Sequence, residues 1–215
     1  MIIRHRKKII AAVLFLLAPV FVFAHPHMFL ESKVEFEYSG EECTGFWLEW
    51  TFDPYFSASI IQECDKDRNK RFSAEEAEYV YSYGFINLRK YGYFIYLRSG
   101  DNRVNPEGVE QFTPSIRNDR LVYRFFVNLK GKGYGKDFSV AIFDSTYFCA
   151  VRYPESGVVT VRQNGPGAAP RWERGENKKY PVYYNPFGAS NDMTIYTAWR
   201  PGLETAYPDE IRVFF

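Results

Sequence analysis

Residues 30–38 read L-E-S-K-V-E-F-E-Y, which sets Leu30, Val34, Phe36 and Tyr38 on one side of the chain and Glu31, Lys33, Glu35 and Glu37 on the other. A period of two with one apolar face is the pattern of a half-buried strand. After Ser39 and Gly40, the stretch Cys43–Phe52 carries Phe46, Trp47, Leu48 and Trp50 and reads as the hairpin partner. The period then changes. Asp53 and Pro54 form a helix start, with Asp as N-cap and Pro in the first turn, and Phe56, Ile60 and Ile61 follow at helical spacing. A polar loop over 65–71 separates this helix from a second, which opens at Ser73 and is expected to run to about Tyr91, with Gly84 as its weak point. Strand signals return at 93–98, 121–129, 138–143, 147–152, 158–162 and 210–215. They are rich in aromatic and β-branched residues, as antiparallel packing favours. The segment 163–192, with N-G-P-G-A-A-P inside it, reads as a long loop or ordered excursion. The fold class expected is therefore mainly β: an antiparallel, β-sandwich-like domain with an inserted helix–loop–helix at about 53–91.

At the amino end, Arg4, Arg6, Lys7 and Lys8 precede fifteen uncharged, nearly all apolar residues from Ile9 to Phe23. This is the layout of a secretory signal peptide, with Val22 and Ala24 small enough for cleavage behind residue 24. A spanning helix needs about 20 apolar residues, so cleavage is expected over anchoring. One periplasmic domain over 25–215, a monomer, is the organisation expected. Without the four leader charges, Lys and Arg fall from 27 to 23 against 26 Asp and Glu, so a nucleic-acid partner is not expected. Cys43, Cys64 and Cys149 would lie in an oxidising compartment, where at most one bridge can form among them; the pairing is not legible.

The histidines are His5, His25 and His27. Cleavage would make the last two the first and third residues of the mature chain, a placement expected by chance on the order of once in 6,000. An N-terminal histidine offers its amine and ring Nδ1 to one ion, and His27 adds a second imidazole; three nitrogens suit Zn, Ni, Co or Cu. Pro26 has no N–H to lose, which excludes the binding mode that uses the second residue's amide. A copper brace needs a distant histidine that this chain lacks, so redox catalysis is disfavoured. Asp144, in F-D-S-T-Y, is the candidate fourth ligand, although Asp before Ser-Thr is more often a turn cap. Imidazoles titrate near about 6.5 and α-amines near about 7.7–8.0. Binding should therefore weaken below about pH 6 as protons displace the ion. The plainer alternative is a solvated, flexible terminus.

Residues 65–76, D-K-D-R-N-K-R-F-S-A-E-E, place Asp65, Asp67 and Asn69 at loop positions one, three and five, the Arg71 carbonyl at seven and Glu76 at twelve. Those are the calcium-ligand positions of an EF-hand loop. Lys70 stands where the sharp turn wants Gly, and Arg68, Lys70 and Arg71 repel a cation. Ser73 and Glu76 also spell the capping box that starts many helices without any metal.

The chain resembles the bacterial domain-of-unknown-function family numbered 1007, often labelled a periplasmic component of an ABC-type transport system. The likeness rests on H-P-H-M-F at 25–29, W-T-F-D at 50–53, the D-K-D-R-N loop, N-L-R-K-Y-G-Y-F at 87–94, L-V-Y-R-F at 121–125 and F-D-S-T-Y at 143–147. It implies relatives encoded beside nickel, cobalt or zinc transporters, and it places a metal-ligand role on His25 and His27. Lys70 and Ser145 depart from the family's Gly and Pro. The function expected is a non-catalytic accessory protein that binds a transition metal and supports its passage through an inner-membrane metal transporter. The alternatives are a structural or interaction module, stapled by calcium and meeting a membrane protein through exposed aromatics, and a metal-dependent hydrolase. The last is disfavoured because only carboxylates could complete a catalytic zinc site. The closing I-R-V-F-F also resembles the last strand of an outer-membrane barrel, which the helical insert argues against.

Overall fold

A computed structural model describes residues 26–189 and 191–215. The expected signal peptide, its cleavage point and His25 lie outside the described residues. Two sheets face each other across a shared core. The first strand, β1 (Met28–Ser39), pairs antiparallel with β2 (Glu42–Phe52) in the hairpin the alternation predicts, with Val34 opposite Leu48 and Phe36 opposite Phe46. Leu30, Val34, Phe36 and Tyr38 are all buried. β2 continues onto β6 (Arg120–Asn128), which is edged by β5 (Glu110–Arg117). On its other side β1 takes β8 (Cys149–Arg152) and then β9 (Val159–Asn164), both parallel to it. These parallel pairs depart from the all-antiparallel expectation.

The second sheet is antiparallel, in the order β10 (Arg171–Glu176), β13 (Asp209–Phe214), β7 (Asp137–Ile142), β3 (Ile95–Ser99), β4 (Asn102–Val104). A small third sheet pairs β11 (Val182–Tyr184) with β12 (Glu204–Ala206). Phe36 meets Phe138 of the opposite sheet edge-on at 5.9 Å, and fully buried Trp50 packs against Phe125 at 4.8 Å. The segment read as a loop, 163–192, thus contributes two short strands, β10 and β11.

Between β2 and β3 lie two helices. In α1 (Pro54–Cys64), the Asp53 carboxylate accepts from the N–H groups of Tyr55 and Phe56, at 2.9 and 3.0 Å, as an N-cap should. Its second oxygen accepts the Phe29 N–H at 2.9 Å, and the Asp53 N–H donates to the Phe29 carbonyl, so one residue both starts α1 and fastens it to β1. Helix α2 (Ala74–Tyr83) opens on the Ser73–Glu76 capping box. It stops at Tyr83, short of the expected Tyr91. From Phe85 to Phe94 the chain tightens into 3-10 turns and passes through left-handed backbone at Gly92, Tyr93 and Phe94. The reason is packing: Phe85, fully buried, must stack on Phe112 at 4.0 Å and meet Phe125 at 5.0 Å. Gly92 is required there, because a Cβ would stand 2.2 Å from the Asn105 side chain. Among the described residues no helix is long and apolar enough to cross a membrane.

One buried ion cluster ties the second sheet together. Glu210 accepts from Arg98 at 2.7 Å, from Arg103 and from Asn177 at 3.0 Å, while the Arg103 guanidinium lies over the Tyr180 ring at 4.0 Å. The cysteines Cys43, Cys64 and Cys149 are buried and unbridged.

Candidate functional site

The structure puts the segment after His25 in a fixed place. His27 is exposed, yet its N–H donates to the Phe148 carbonyl at 2.9 Å and its ring lies 5.1 Å from that of Phe148. The pairing then runs in register from Met28 opposite Cys149 to Glu31 opposite Arg152. Asp144 belongs to the same neighbourhood: one oxygen accepts from the Thr146 N–H and hydroxyl, both at 2.8 Å, and the other from the Cys149 N–H at 3.0 Å. Thus His27 docks on Phe148, and Asp144 on the residue that follows. Asp144 is only 1% exposed, and burial pushes its carboxyl up even though Thr146 and Cys149 hydrogen bonds pull the other way.

Asp144 is first a loop cap, as Asp before Ser-Thr suggests. Its oxygens offer about four lone-pair sites; Thr146 and Cys149 occupy three and the Phe148 N–H also bears on the carboxylate, so a ligand would have to displace a donor. His27 and Asp144 form no cluster with a third described His, Cys, Asp or Glu at ligand distance; the group within 4.8 Å of one another among the described residues is Asp65, Asp67 and Glu76. The transition-metal donor set fits here only with His25, which lies outside the described residues.

The loop after α1 brings its calcium-like positions together. Asp65, buried at the C-terminus of α1, accepts the Asn69 N–H at 3.1 Å on one oxygen and the Lys70 N–H at 3.0 Å on the other. Asp67 accepts from the Asn69 N–H at 3.1 Å and its side-chain amide at 2.7 Å, and the Asn69 side-chain oxygen accepts the Arg71 N–H at 2.8 Å. Glu76 reaches back to the N–H groups of Lys66, at 2.6 Å, and Ser73, at 2.9 Å. Those two backbone donors, Ser73 first, hold its carboxyl below the usual range. Lys70 has φ +61°, the left-handed backbone that a Gly would adopt freely. Its ammonium turns away to Asp119 at 2.7 Å, which removes one of the cations that would oppose a metal. Oxygen donors of this kind suit a hard cation such as calcium, and the carboxylate grouping fits one, although most of the oxygens already hold backbone N–H groups. Phe72 packs on the core and anchors the loop's far end.

Sequence reading missed the residues that line a cleft between β8 and the turn joining β12 to β13, among them Arg152, Tyr153, Arg174 and Tyr207. These four come from three separate stretches and share no motif, so only the tertiary fold assembles them.

Residues 10–215 match the family described as protein of unknown function, DUF1007. The chain is similar to an uncharacterized 15.5 kDa protein encoded in the trpE 3' region of Spirochaeta aurantia, 30% identical over 104 residues that make up 48% of this chain and 74% of that relative. It is also similar to an uncharacterized protein of Haemophilus influenzae, 27% identical over 143 residues, 64% of this chain and 67% of that relative.

Proposed function

Since the chain belongs to the DUF1007 family of proteins of unknown function, whose match spans His25, His27 and both candidate loops, we propose that it is a non-catalytic, periplasmic binding protein for a transition-metal ion of the Zn, Ni, Co and Cu class. It supports delivery of that ion to an inner-membrane metal transporter. The observation that carries this reading is the docking of His27. The His27 N–H bond to Phe148 and the register of Met28 opposite Cys149 hold His27 beside the Asp144 loop instead of leaving it to fray. The His25 amine and ring would bind with the His27 imidazole, and Asp144 would supply an oxygen. Anchoring one donor in advance lowers the ordering cost of binding.

The test is calorimetric titration of the exported, processed protein with Zn, Ni and Cu. One ion per chain is expected, with at least a hundredfold loss of affinity in a His25→Ala, His27→Ala variant and a steep loss in the wild type below about pH 6. Equal affinity in the double variant, or a first residue other than 25 by mass spectrometry, would end the reading.

The convergence of Asp65, Asp67 and Glu76 favours a second reading for the helical segment. In it, α1, the loop and α2 form an EF-hand-like insert in a β-sandwich, stapled by calcium at the millimolar affinities of extracellular modules. Millimolar calcium should then raise the melting temperature. An unchanged melting curve would remove the staple and leave the capping box as the loop's whole purpose.

A further inference from the structure

The cleft between β8 and the β12–β13 turn, about 370 Å³ in volume, shares Asp144 with the transition-metal reading, and the rest of its lining takes part in neither metal reading. Its size is at the lower end for pockets that hold small organic ligands, which run to roughly 300–1,000 Å³. Phe143, Tyr147, Tyr153 and Tyr207 supply apolar and aromatic wall, and Arg152 and Arg174 supply charge. The Tyr147 wall is rigid, because its ring stacks on Tyr184 at 4.0 Å.

The carboxylates lining the cleft are Asp144 and Asp209, and each is already engaged. Asp144 faces into its own loop, where hydrogen bonds from Thr146, Cys149 and Phe148 hold it. Asp209 pairs with Arg174 at 3.4 Å, and Arg174 in turn lies over the Tyr153 ring at 5.5 Å. Arg152 is different. Among the described residues it makes no ion pair, and its guanidinium lies over the Phe29 ring at 4.6 Å. An arginine stacked on an aromatic face keeps its planar fork of donors available at a reduced ordering cost. That fork matches a carboxylate better than any other small anion except phosphate.

We propose that this cleft binds a small organic carboxylate, with the anionic end on Arg152 and the body of the molecule between the tyrosines. Arg152 lies opposite Glu31 on the strand pair that starts at Met28, so the bound acid stands along the same strand pair that His27 enters. Two sources share this chemistry: a free acid, and an acid that arrives already chelating a metal ion. The second source rests on the metal-binding reading; the cleft itself does not.

The experiment uses the processed full-length protein and two probes, citrate and 4-hydroxybenzoate, titrated by calorimetry at low salt. At least one should bind with a dissociation constant below about 1 mM, weaken at least tenfold in Arg152→Gln, and recover partly in Arg152→Lys, which keeps the charge and loses the fork. Failure of both probes to bind, or affinity unchanged in an Arg152→Gln variant with a wild-type melting temperature, overturns the proposal. Nickel citrate then separates the sources. Tighter binding than citrate alone, lost in the His25→Ala, His27→Ala variant, identifies the chelate; equal binding identifies the free acid. Nickel affinity that vanishes with Arg152 intact and citrate still bound would sink the metal reading alone, and the reverse result would sink this one alone.

Discussion

Lys70 takes left-handed backbone at a place where the spacing of the acidic loop calls for a glycine. Position six of the loop calls for left-handed backbone, the spacing of Asp65, Asp67 and Glu76 was legible in the sequence, and the chain adopts φ +61° there with a lysine in place. Substituting Lys70→Gly removes the steric cost of that conformation and should raise the melting temperature by roughly 2–4 °C; thermal denaturation checks it, and under the calcium-staple proposal the increment with calcium should grow as well. Asp144 was legible in its plainer role as a turn cap. Glu210 was not legible at all, because its partners Arg98, Arg103 and Asn177 lie far away in sequence. Burial pushes its carboxyl up, but the bonds from Arg98, Asn177 and Arg103 outweigh burial and leave it below the ordinary value. The folded value therefore lies under the unfolded one of about 4.3. The stabilisation from Glu210 is complete above about pH 4.3 and fades as pH falls through the folded value. A Glu210→Gln variant leaves two arginines without a counter-charge and should cost about 3 kcal/mol at neutral pH. It should also flatten the acid limb, and urea unfolding between about pH 3 and 7 reads both effects.

Among the elements, the hairpin β1–β2 and the start of α1 were legible because each obeys one local rule: alternation for the strands, an Asp-Pro cap for the helix. What escaped was set by distant contacts. The end of α2 depends on Phe85 turning inward onto Phe112 and Phe125, and no residue between Gly84 and Tyr91 announces it. Phe85→Ala should therefore cost about 3–5 kcal/mol, whereas Leu88→Ala, at a partly buried position on the same turn, should cost much less; chemical denaturation of the two variants compares them. β5 carries Pro114 within an edge strand, and β10 is exposed at every position, so neither shows alternation. The parallel pairing of β8 and β9 with β1 follows from where the long connections lead, which local pattern does not encode. At Gly45 the sheet itself sets the limit. A Cβ would stand 2.5 Å from the Val127 carbonyl, so Gly45→Ala should destabilise by roughly 1–3 kcal/mol, measured by the same denaturation.

For the molecule as a whole, burial is concentrated where β1, β2, β6 and β7 face one another, and it thins out toward β10 and the segment from 185 to 203, where Phe187, Ile195 and Trp199 are exposed. Hydrogen exchange should follow that gradient: amides of β1, β2 and β6 should open only with global unfolding, and those of β10 much earlier. Uniform protection across both would contradict a single graded core. The position of His25 lies outside the described residues, and the cleft beside β8 was not legible in the sequence, since its walls meet only after both sheets have formed. β1 has hydrogen-bonded neighbours on both flanks, β2 on one and β8 then β9 on the other. Tension applied ahead of Met28 would load these ladders in shear, so that their bonds must rupture together instead of unzipping one by one. A partner that tugs at the amino terminus therefore pulls against the toughest grain of the molecule.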